Sequence, residues 1–88
     1  MEANDFLAIY NDEHVANYIK EMSEWIFEQT KEVYSQEEIN KKFFEKKDVI
    51  RDLFAPYRET IMSQSVEKWA EMLAVSWGLL TEPHIEFV

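Results

Sequence analysis

The sequence predicts an all-α fold, a small bundle of three to four helices with a short extended C-terminal tail. Three observations carry this. Apolar residues recur at helical steps of three and four through most of the 88 residues. Ser35-Gln36-Glu37-Glu38 has the form of a capping box that starts a helix. The chain holds one glycine, whereas a sheet built on tight hairpins needs several residues at positive φ. The predicted helices span about 12–34, 36–47, 48–62 and 65–80, within a single domain over residues 1–88.

The first helix is marked by Val15, Ile19, Met22, Ile26 and Val33, at steps of 4, 3, 4 and 7. Tyr18 and Trp25 widen this stripe beyond a coiled-coil seam, as a globular bundle requires. Asn11 or Asp12 supplies the cap. Upstream, Phe6, Leu7, Ile9 and Tyr10 follow Asn4-Asp5, and either extend the helix or form a separate turn. Beyond the capping box, Ile39, Phe43, Ile50, Leu53, Tyr57 and Ile61 continue the pattern. One unbroken helix from 36 to 62 would be about 40 Å long, too long for this globule. A break near 46–48, with Asp48 as the cap, or a kink at 52–56 is therefore expected. Pro56 lacks the N–H that would bond the carbonyl of Asp52.

The last helix carries two apolar stripes. Val66, Ala70, Leu73, Trp77 and Leu80 form one, and Trp69, Met72, Val75 and Leu79 the other. A helix apolar nearly all round is buried on more than one side. It is expected to be either the centre of the bundle or the bearer of a contact face. After Thr81-Glu82-Pro83, the alternating His84-Ile85-Glu86-Phe87-Val88 reads as extended.

Composition narrows the function. With no cysteine, disulfides, iron–sulfur clusters and thiolate zinc sites are excluded. Three Trp, six Phe and four Tyr supply the core instead. No basic and apolar leader and no apolar run long enough for a membrane span is visible, so a cytoplasmic protein is expected, in the host cytoplasm if the source is viral. The net charge is −9, of which residues 1–34 carry −6, residues 35–62 carry 0 and residues 63–88 carry −3. Lys41, Lys42, Lys46 and Lys47 are diluted by Glu37, Glu38, Glu45 and Asp48. Direct binding to nucleic acid or to an anionic membrane is therefore not expected.

No catalytic constellation emerges. The two histidines, His14 and His84, lie at opposite ends of the chain, and no Glu-x-x-His or His-Glu-x-x-His motif is present. One glycine cannot build a phosphate-binding loop. Ser63, Ser65 and Ser76 read as caps or small helical residues rather than nucleophiles. No enzyme activity, metal or cofactor is expected.

Two surface features point to a protein partner. Glu21, Glu24, Glu28 and Glu32 step by 3, 4 and 4 along the first helix, with Glu13 upstream. They make an acidic ridge whose neighbours stand about 5–6 Å apart. Such a ridge either keeps a small protein soluble or docks on a basic partner such as a nucleic-acid-binding protein. The second is an apolar surplus: Phe27, Phe44, Trp69, Met72, Val75 and Leu79 exceed one core-facing stripe. The leading expectation is a non-enzymatic acidic binder that modulates, by inhibition, a larger protein, a type of action familiar in phage and mobile-element inhibitors. The alternative is a homodimeric or larger structural, assembly or chaperone subunit of a macromolecular complex. A third reading is a ligand-binding bundle with His14, Tyr10 or a buried glutamate in its pocket.

Overall fold

The computed structural model describes residues 3–80. It is all-helical: a 3-10 helix over Ala3–Ala8 precedes α1 (Glu13–Thr30), α2 (Gln36–Glu45), α3 (Lys47–Met62) and α4 (Val66–Ser76), with no strand among the described residues. The expected tail after Pro83 lies outside them. No helix among the described residues is long and apolar enough to cross a membrane.

The segment before α1 is a separate turn rather than an extension of it. Arg51 on α3 holds it, its Nε donating to the Ile9 carbonyl at 2.7 Å and its Nη2 to the Ala8 carbonyl at 2.9 Å. These carbonyls close a helix end and have no intrahelical partner. Asp12 is the cap of α1, accepting from the His14 and Val15 backbone N–H groups at 2.9 and 3.4 Å.

α1 is the centre of the bundle and packs against every other element; the last helix does not hold that place. Val15, Ile19, Met22 and Ile26 are fully buried, but Val33 is 73% exposed. The expected stripe breaks there because α1 ends at Thr30. The Val33 and Tyr34 N–H groups both turn back to the Thr30 carbonyl at 2.8 Å, placing Ser35 to open α2. The capping box is formed in both directions: Glu38 N–H donates to Ser35 Oγ at 3.1 Å, and Ser35 N–H donates to Glu38 Oε1 at 2.8 Å.

Residues 36–62 contain both the break and the kink. Lys46 leaves helical geometry at φ −101° and ψ 20°, and its side chain makes no capping bond. Asp48 is not the cap. It lies in the first turn of α3, where a carboxylate suits the positive end of the helix dipole. The kink falls at Tyr57, just past the expected interval, with φ −121° and ψ 21° after Pro56. It turns Tyr57 out of its predicted stripe, to 58% exposure.

Ser65 caps α4 by accepting from Lys68 N–H at 3.3 Å. The helix stops at Ser76 instead of continuing to residue 80. Gly78, at φ 79°, takes the left-handed position after the helix. Leu79 N–H donates to the Ala74 carbonyl at 2.8 Å and Gly78 N–H to the Val75 carbonyl at 3.2 Å. This double bond pattern is a Schellman termination, which favours glycine.

Asp12 also ties the start of α1 to α3 in a partly exposed ion pair, accepting from Arg58 at 3.0–3.1 Å. Partial burial pushes its carboxyl up, but the Val15 and His14 N–H bonds and the Arg58 guanidinium outweigh this and hold it below the ordinary value. A depressed folded-state pKa stabilises the fold above the unfolded value of about 3.9. That contribution disappears as pH falls through the lower folded value. Asp12→Asn keeps a capping side chain and removes the charge. Its melting temperature is expected to lie below wild type at pH 7, with the gap narrowing at pH 3 in thermal melts.

Candidate functional site

The ridge and the apolar surplus meet different fates in the fold. On α1, Glu13, Glu21, Glu24 and Glu28 are all exposed. At 3.6 residues per turn they fall within an arc of about 80°, and Glu13 and Glu28 are about 22 Å apart along the axis. Lys20 pairs with Glu24 at 2.7 Å, and Lys31 with Glu28 at 3.5 Å. Glu13 and Glu21 form no salt bridge among the described residues. Glu32 is exposed but lies in the turn beyond Thr30, so the regular helical steps of the ridge end at Glu28.

The apolar surplus is not one face. Phe44 stacks on Phe6 with ring centroids 5.8 Å apart. Phe27, Trp69 and Leu79 are half-buried against the core, and Val75 is half-buried as well. Only Met72 of the six stands out, at 51% exposure. It lines an open groove of about 430 Å³ with Val49, Asp52, Leu53, Trp69 and Leu73. Neither Val49 nor Leu53 belongs to the predicted site. Their spacing of four was readable, but the approach of α3 to α4 depends on the turn at 63–65.

A second polar feature escaped the periodicity argument. Ser23 and Asn40 are 0% and 2% exposed. Ser23 Oγ donates to Asn40 Oδ1 at 2.5 Å, and Gln36 Nε2 donates to both oxygens at 2.9 Å. This network joins α1 to α2 in the interior, where unpaired polar groups are costly. Ser23 lies within the apolar arc of α1, a readable signal of burial. Glu71 on α4 is buried as well, at 6% exposure.

His14 is exposed, and His84 lies outside the described residues. No group of three His, Asp or Glu side chains suited to hold a metal occurs among the described residues. Tyr10 is half-buried and stands 6.0 Å from Phe54, ring to ring. Compared with protein-family models, curated proteins and solved structures, the chain matches none.

Proposed function

We propose that this protein acts without catalysis, by binding a larger, basic protein and restraining it. The observation that carries this reading is the exposed arc of Glu13, Glu21, Glu24 and Glu28 on α1. It lies on the helix that all other elements pack against, so the fold itself holds its charges in line. Two lysines offset only part of that charge. An acidic surface of this kind steers a basic partner into contact, raising the association rate in a salt-dependent way. Occupying a basic surface also denies it to its usual ligand, which is the basis for expecting inhibition.

The test is charge reversal on the outward arc. Glu21→Lys, Glu24→Lys and Glu28→Lys are combined, and circular dichroism checks that the helix content is kept. Affinity capture from the native host, read by mass spectrometry, is expected to recover a basic protein with the wild type but not with the triple variant. Its association rate with wild type is expected to fall by about tenfold or more between low and physiological salt. Capture of the same protein to the same extent by both forms would overturn the reading.

A further inference from the structure

We propose that the groove between α3 and α4 is a docking site for an amphipathic helix of another protein, one presenting an apolar stripe with a lysine or arginine beside it. The inference rests on the reading that this chain works by binding a protein, but it does not use the acidic ridge.

The groove follows from the packing. α4 lays Ala70 and Ala74 into the core, both 0% exposed, and packs chiefly on α1, while α3 packs on α1 and α2. The facing sides of α3 and α4 are left unclosed. Val49 and Leu53 stand one turn apart on one wall, with Trp69, Met72 and Leu73 on the other. Val49 is 49% exposed and Met72 51%. Single exposed apolar residues are ordinary, and Val33 and Tyr57 are such cases, in a turn and at a kink. Val49 and Met72 differ because they line the same groove, beside three more apolar side chains.

Charge selects the occupant. Asp52 is the only charged residue lining the groove. It is exposed and makes no salt bridge among the described residues. A second copy is disfavoured, because a two-fold contact sets the same patch against itself, acid on acid, between chains of charge −9. A partner cation instead meets Asp52 while apolar side chains fill the groove. Trp69 to Ser76 covers about 10 Å of α4, which matches anchors at i, i+3 or i+4, and i+7 of a docked helix.

The probe is a synthetic sixteen-residue peptide with leucines at that spacing and lysines beside them, together with a twin bearing glutamates. Each is titrated into the full chain while the Trp69 indole N–H and the Met72 methyl are followed by NMR. The lysine peptide is expected to shift both signals saturably, and the glutamate twin to bind about tenfold more weakly or worse. Met72→Glu is expected to weaken the lysine peptide by about tenfold or more. Asp52→Asn is expected to erase most of the preference for lysine. Both positions are exposed, so the fold is kept, and circular dichroism checks this. The variant with Glu21, Glu24 and Glu28 reversed is expected to bind the peptide like wild type, which separates this site from the ridge. Absence of saturable binding, or binding that Met72→Glu leaves unchanged, would overturn the proposal. Concentration-dependent shifts of Trp69 and Met72 without peptide would also overturn it, by assigning the groove to a second copy.

Discussion

Phe54→Ala is expected to cost about 3–5 kcal/mol, the range for deleting a large aromatic from a packed core. Phe54 is 0% exposed. Its ring lies 6.0 Å from both Tyr10 and Tyr18, tilted to one at 57° and edge-on to the other at 73°. It therefore joins three separate parts of the fold: the segment before α1, α1 itself and α3. Removing it leaves a cavity beside two tyrosine rings, of which Tyr18 is held in place by its hydroxyl and cannot readily move in to fill it. A domain of this size has a total stability of about 4–13 kcal/mol, so the loss is a large share of the whole. At about 4–8 °C per kcal/mol, the melting temperature should fall by at least about 12 °C. Differential scanning calorimetry checks this, and Phe54→Leu, which keeps most of the volume, should lose much less. A shift of only a few degrees for the alanine variant would mean that Phe54 is not the keystone of these contacts.

Tyr18→Phe is the second large effect, expected at about 1–3 kcal/mol. The Tyr18 hydroxyl lies 3.1 Å from each of three carbonyls, those of Ile61, Gln64 and Ser65. One proton serves them in turn, at the turn where α3 hands over to α4. The phenylalanine variant keeps the ring and its packing on Phe54, so the measured loss reports the hydroxyl alone. The same site sets an alkaline dependence. Burial pushes the Tyr18 phenol up, and the Glu21 carboxylate adds to the shift. A folded-state pKa raised above the unfolded value of about 10 favours the neutral phenol. Its contribution is complete below that value and is lost as pH rises through the folded pKa. Chemical denaturation at pH 7 and above pH 10 should therefore show the wild type and Tyr18→Phe converging in stability. A constant gap across that range would place the effect in packing rather than in the hydroxyl.

The helices were legible where local chemistry decides them. Ser35 and Glu38 announce α2 because both halves of a capping box lie within four residues. Pro56 marks a kink because its missing N–H is a covalent fact. The end of α1 was misplaced, since Val33 prolongs an apolar rhythm that the turn at Thr30 cuts short. The end of α4 was also misplaced, although its signal was present: the single glycine occupies the one left-handed position among the described residues. Apolar periodicity runs through Gly78 to Leu80 and obscures it. Among the site residues, the exposure of Glu13, Glu21, Glu24 and Glu28 follows from helical phase. The dispersal of Phe27, Phe44, Trp69, Val75 and Leu79 does not, because half-burial depends on which neighbour arrives.

The sequence by itself determined the fold class, the start of each α-helix to within a residue or two, and the phase of the acidic arc. Each of these depends on residues within about one helical turn of one another, so the information is local. Only the tertiary structure decided that α1 rather than α4 is the centre, that Ser23 and Asn40 share a buried bond, and that α3 and α4 leave a groove at Val49 and Met72. Those outcomes depend on how two short turns orient whole helices. A change in the direction of either turn would move every contact beyond it while leaving each helix's own pattern unchanged.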